Sequence, residues 1–67
     1  MTINYNSKGD LLYLRFDNTK HNVTNKRVND NIVIDLDENE KIIGIEILNA
    51  SENIDLEKLL PLEMESS

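Results

Sequence analysis

The residues whose type and spacing best suit chemistry are Asp35, Asp37 and Asn39 at alternate positions, with Glu46 eleven residues after Asp35. Oxygen ligands spaced in this way are the pattern of a calcium-binding loop, which takes alternate side chains and closes on a carboxylate at its twelfth position. The sharp turn of such a loop needs Gly at its sixth position, where this chain has Glu40, and the flanking runs alternate like strands. Glu46 would then stand in a strand instead of closing on an ion, so the expectation is a hairpin tip whose carboxylates stay in water. Glu46 also lies between Ile45 and Ile47, where partial burial would raise its pKa unless a cation answers it. Arg15 shares its face by parity, and a structural pair of the two, across the sheet or at a seam between copies, outweighs a catalytic acid. His21, the one histidine, sits in a polar connection with no Cys or second His, which predicts a solvent-exposed residue and no metal centre. Ser7, Ser51, Ser66 and Ser67 have no assigned base or orienting carboxylate, as a nucleophilic triad requires. With Gly9 and Gly44 the only glycines, there is no phosphate-cradling loop. Gly44, inside an apolar run, marks a bulge or the close approach of another group. Tyr5 and Tyr13 flank the first turn, where cross-strand packing outweighs ligand stacking.

These side chains must be positioned by short strands. Residues 3–5 alternate and are followed by Asn6-Ser7-Lys8-Gly9-Asp10, a turn composition. Residues 11–16 then place Leu12, Leu14 and Phe16 on one face and Leu11, Tyr13 and Arg15 on the other. Residues 23–28 read as an edge strand, weakly patterned, with Lys26 and Arg27 discouraging unwanted pairing. After the turn Asn29-Asp30-Asn31, β-branched residues alternate over 32–36 and again over 42–48 across the tip 37–40. The period then changes: Leu56, Leu59 and Leu60 fall at helical spacing, Ser51 or Asn53 offers a cap, and Pro61 ends the helix. The predicted class is α+β, mostly β: a small antiparallel meander of four or five strands with a short C-terminal helix. One domain spans residues 1–62, and residues 63–67 form a frayed tail.

The predicted core is the face of Leu12, Leu14, Phe16, Ile32, Ile34, Ile43, Ile45 and Ile47. The opposite face is half apolar, with Leu11, Tyr13, Val33, Ile42 and Leu48 beside Arg15, Asp35 and Glu46. A helix of two turns cannot cover both faces, so self-association through this second face is expected. The composition supports that need. Leu, Ile, Val and Phe make 21 of 67 residues, enough to fold. A chain this short nonetheless forms a thin core, and without cysteine no disulfide reinforces it. Thirteen acidic against seven basic residues give a net charge of −6, which opposes binding to phosphate backbones and permits a basic protein partner. The N-terminus lacks the layout of a signal peptide and no apolar run is long enough to span a membrane, so a cytoplasmic protein is expected. Two glycosylation sequons, at Asn22 and Asn49, are what ten asparagines produce by chance.

Two stretches resemble a known family. Tyr5-Asn6-Ser7-Lys8-Gly9-Asp10-Leu11-Leu12-Tyr13-Leu14 is similar to a signature Y-D-x-x-x-D-x-L-Y followed by an aliphatic residue. Asp35-Leu36-Asp37, then Ile42-Ile43-Gly44-Ile45-Glu46-Ile47-Leu48-Asn49-Ala50-Ser51, is similar to D-x-D, then aliphatic-x-G-I-E-I-L-x-A-S. The family is the small bacterial one known as domain of unknown function 2283. Asn6 stands where it usually has Asp, and Glu40 where it usually has Gly. The resemblance implies a compact, mostly β module with no assigned activity or cofactor. Genes of the type sometimes neighbour small basic proteins similar to ribonuclease toxins, which implies an antitoxin-like role. The expected function is a non-enzymatic acidic interaction module, a homodimer that binds a small basic protein. Its candidate surface is Tyr13, Arg15, Val33, Asp35, Asp37, Ile42, Glu46 and Leu48, with Glu38 and Glu40 adding to the steering charge. The alternative is a small-ligand or metal site at an oligomer seam around Glu46, Arg15 and Tyr13.

Overall fold

A computed structural model describes residues 1–19 and 21–59. Five strands, β1 (Thr2–Asn6), β2 (Leu11–Arg15), β3 (Thr24–Arg27), β4 (Ile32–Leu36) and β5 (Ile42–Leu48), form one antiparallel sheet. A one-turn helix α1 (Ala50–Asn53) and a 3-10 turn (Leu56–Lys58) follow. The chain is mostly β, as the alternating patterns predict. The expected helix stop at Leu60 and Pro61 and the tail 63–67 lie outside the described residues.

The sheet order is β1-β2-β5-β4-β3. Two hairpin runs, β1-β2 and β3-β4-β5, are therefore joined through their last strands, and β5, the longest, sits in the centre. Three turns within these runs are built in the same way, by a short polar side chain accepting two backbone N–H groups ahead of it. Asn6 Oδ1 accepts from Lys8 and Gly9 at 3.0 and 3.2 Å, and Asn29 Oδ1 accepts from Asn31 and Ile32 at 2.8 and 2.9 Å. Asp37 Oδ1 accepts from Asn39 and Lys41 at 2.8 and 2.9 Å. Asn6 and Asn29 build their turns with an amide oxygen where Asp37 uses a carboxylate. Glu40 has φ 64°, the left-handed region that favours Gly.

Strand pairing defines two faces. Ile3 opposes Leu14, which opposes Ile45, which opposes Ile34; Leu12, Ile47 and Ile32 form the next row. This first face is the predicted core, yet of its members only Leu12 (2% exposed) and Ile43 (1%) are buried. Leu14, Ile32, Ile34, Ile45 and Ile47 are half-buried, and Phe16 is 44% exposed. Alternation identifies which side chains share a face but not what covers them. Leu12 and Ile43 each contribute about 1.5–3 kcal/mol by leaving water, while their neighbours realise only part of that.

The short helix also differs from its expected form. Neither Ser51 nor Asn53 caps a longer helix; α1 begins after Asn49, in left-handed geometry, and Asp10 satisfies its first turn from across the fold. Asp10 accepts from the Ser51 N–H at 3.0 Å and the Ser51 hydroxyl at 2.8 Å, and its carbonyl accepts from Ala50 N–H at 2.9 Å. Tyr5 donates its hydroxyl to the same carboxylate at 2.7 Å. The Leu56 spacing yields a 3-10 turn because the chain becomes extended at Ile54 (φ −139°, ψ 141°).

Candidate functional site

The second face is built from two cross-strand rows. Asn4, Tyr13, Glu46, Val33 and Arg27 form one, and Thr2, Arg15, Gly44, Asp35 and Asn25 the other. Tyr13 leans from the first row over Gly44 in the second. A Cβ added at Gly44 would lie 2.6 Å from the Tyr13 hydroxyl and 3.0 Å from the Leu14 carbonyl, so the glycine makes the space the ring occupies. The close approach expected at Gly44 is therefore a side chain crossing it. The Tyr13 hydroxyl donates to Asp35 Oδ2 at 2.9 Å, and Asn25 Nδ2 donates to Asp35 Oδ1. With both oxygens engaged, the Asp35 carboxylate is tolerated at only 4% exposure.

Glu46 stands beside this group. Burial pushes its carboxyl pKa up, the hydrogen bond with Asp35 and that residue's charge push the same way, and the Arg27 guanidinium opposes them. Glu46 therefore holds its proton more firmly than a free carboxyl does. Burial also raises the Tyr13 phenol, with Asp35 adding to the effect. An open depression of about 780 Å³ lies over these groups, lined by Tyr13, Asp35 and Glu46 from the sheet and by Asn4, Lys8 and Leu11 around the first turn. Its floor offers the Glu46 carboxyl as an acceptor, and Lys8 is the one cation of its lining.

Several expected members of the surface are placed otherwise. Arg15 does not pair with Glu46: it is one row away, opposite Gly44, and its guanidinium donates to the carbonyls of Asp17 at 2.6 Å and Thr19 at 3.2 Å. Val33 (8% exposed) and Asp35 are buried, and Asp37 (9%) is held inside its own turn. Ile42 sits where a register shift at Asp35 and Leu36 interrupts the pairing, opposite Leu36, and is 50% exposed. Tyr13, Arg15, Glu46 and Leu48 remain half-buried on the second face, and Glu38 and Glu40 are exposed at the tip. Asn25 and Arg27 were not anticipated as members. A turn centred on Asp30 sets Asn25 opposite Asp35 and Arg27 opposite Val33, so the register held the signal, but the weak strand pattern there hid it.

His21 is also not the free surface residue expected. Its Nε2 lies 2.9 Å from Asp17 Oδ2 and from the Thr19 hydroxyl, and its Nδ1 lies 2.9 Å from Glu38 Oε1. The hydrogen bonds to the two carboxylates raise its pKa, while Thr19 first and His21 second lower that of Asp17. Among the described residues, His21, Asp37 and Glu38 are the set whose ligand atoms come within 4.8 Å of one another. Both ring nitrogens and one Asp37 oxygen are already engaged, so the group reads as a clasp that ties Asp17, Thr19 and His21 to Glu38 in the β4-β5 turn. The calcium-loop residues do not converge: Asp35 and Glu46 face the sheet surface, and Asp37 bonds its own turn.

A sequence model for the family described as protein of unknown function (DUF2283) matches residues 2–51, and the chain belongs to that family. No curated protein and no solved structure matches it. The family signature now has a physical reading. Tyr5, Asp10 and Ser51 tie the first turn to α1, Tyr13, Asp35, Gly44 and Glu46 form the polar floor of the second face, and Asp37 builds the central turn. Among the described residues no helix is long and apolar enough to cross a membrane.

Proposed function

We propose that this member of the family is an acidic interaction module that receives a basic protein on its second sheet face, in the manner of an antitoxin. The observation that carries the reading is the Asp35–Glu46 acid pair with Tyr13 at the floor of an open depression, in a chain of net charge −6. A cationic side chain entering the depression would meet the Glu46 carboxyl, favour its ionised form, and lay its stem beside the Tyr13 ring, with the buried Asp35 beneath. Exposed Glu38 and Glu40 at the central turn would add to the long-range attraction that brings a basic partner in. A small cationic ligand in the same depression is the second reading, favoured by the space it offers.

The test is recovery of partners from the native host at low salt, followed by the mass of any complex as salt is raised. A basic protein should be recovered, its complex should weaken with salt, and Glu46→Lys should abolish it while the sheet remains folded. Recovery of no basic protein at low salt would overturn the reading.

A further inference from the structure

We infer that His21, Asp37 and Glu38 form a binding site for one divalent transition-metal ion, with zinc as its representative, where the connection between β2 and β3 meets the β4-β5 turn. The inference is independent of the partner-binding reading, whose depression is lined by none of these three residues. Their ligand atoms lie within 4.8 Å of one another. A tetrahedral ion with bonds of about 2.0–2.2 Å sets its ligands about 3.3–3.6 Å apart, and the exposed Glu38 side chain can supply the small closure needed.

Two independent features point to an ion. The first is Asp37, a carboxylate at 9% exposure whose Oδ1 takes the N–H groups of Asn39 and Lys41, while no donor among the described residues reaches its Oδ2. A buried carboxylate oxygen without a donor is costly, and a cation relieves it. Asp37 lines a depression of about 370 Å³ in which three acids, Asp37, Glu38 and Glu40, outnumber one base, Lys26, so an ion has a way in. The second is the shell behind His21. Asp17 Oδ1 is fixed by the Thr19 N–H at 2.9 Å and the Thr19 hydroxyl at 2.6 Å, which leaves Oδ2 to take the proton of His21 Nε2 at 2.9 Å. That tautomer directs the lone pair of Nδ1 toward Glu38 Oε1, 2.9 Å away. Metal-binding histidines are held in this way, with a carboxylate on the far nitrogen. The clasp keeps a proton between Nδ1 and Oε1, and an incoming ion sends that proton to solvent while both atoms stay as ligands. Asp17, Asp37 and Glu38 also set three negative charges against one imidazole, an excess that a divalent ion answers. An imidazole among the oxygens selects a first-row transition ion over calcium or magnesium, which take oxygen ligands. Such an ion would staple a long connection to the central hairpin in a small chain without cysteine.

The test is calorimetric titration of the untagged full chain, stripped with EDTA, with zinc and with calcium, followed by the proton magnetic resonance of the imidazole. Zinc should bind saturably at one ion per chain, release protons and raise the thermal midpoint by mass action. It should also shift the ring signals of His21, which are unambiguous because the chain has one histidine. Calcium should give no saturable heat. His21→Gln should abolish zinc binding with the strand circular dichroism unchanged, and Asp17→Asn should weaken binding about 10–100-fold by removing the carboxylate that orients the ring. No saturable zinc heat up to about 1 mM, the weak end of divalent-ion sites, would overturn the proposal, and so would an equal response to calcium. Zinc binding that leaves the His21 signals unmoved or survives His21→Gln would overturn it too, placing the ion on carboxylates elsewhere in the chain.

Discussion

Gly44 is a vacancy that Tyr13 fills, and the two residues are best understood together. Gly44→Ala would push a methyl against a phenol oxygen and a backbone carbonyl, neither of which can yield without breaking the Tyr13–Asp35 bond or the β2–β5 pairing. A loss of about 1–3 kcal/mol in urea unfolding is expected, the ordinary cost of overpacking. Tyr13→Phe leaves the ring in place but removes a donor from a carboxylate at 4% exposure, and should cost a similar amount, about 1–3 kcal/mol. A neutral result for either variant would mean that the polar floor does not hold the sheet together. Glu40→Gly should act in the opposite direction, because φ 64° costs a side chain about 1–2 kcal/mol, part of which Gly returns as entropy of the unfolded chain. A higher urea midpoint is the expected sign.

At the scale of elements, two polar groups pull stability in opposite directions with pH. Glu46 has a raised pKa, so its folded form holds a proton that the unfolded chain releases, and stability from this group falls as pH rises above its ordinary 4.5. Glu46→Gln keeps a donor toward Asp35 at every pH and should raise stability at pH 7 by less than about 1 kcal/mol, since the half-buried carboxyl is screened by solvent. The variant and the wild type should converge as pH falls toward 4.5. The His21 clasp behaves differently. His21 is raised above its ordinary 6.5 and Asp17 and Glu38 are lowered, so the clasp is complete between the carboxylate and imidazole titrations. It weakens as pH rises through the folded value of His21 and again as pH falls through those of the acids. Amide exchange at Thr19, whose N–H is held by Asp17, should therefore be slowest, relative to the chemical rate, on the acid side of neutral. Protection that is flat across that range would exclude the clasp.

The strands and their turns were readable in the sequence because both rest on local rules, alternation and short polar side chains that bond their own backbone. The Asp10 cap was not, because its helix lies forty-one residues along the chain and only the closed sheet brings the two together. The Arg15–Glu46 pairing failed for a related reason. Parity places both on one face, but the register sets Arg15 opposite Gly44, where loop carbonyls satisfy it first. The depression itself needed the diagonal lean of Tyr13, which no pattern of residue types expresses.

At the scale of the whole molecule, a single sheet with two fully buried large side chains among the described residues has little apolar burial to set against the conformational entropy of its chain. If two copies share a sheet face, unfolding separates them, and stability becomes a function of concentration. Each tenfold increase in protein then adds about 1.4 kcal/mol to the apparent stability of the dimer. The urea midpoint should then rise measurably between about 1 and 100 µM wild-type protein. The slope of free energy against urea carries a second signature, because it scales with the surface exposed on unfolding. A dimer that hides a sheet face should give a steeper slope at the higher concentration than at the lower, where that face is already wet. A midpoint and slope independent of concentration would show instead that one layer of this sheet is stable alone, with its aliphatic face open to water or covered from within the same chain.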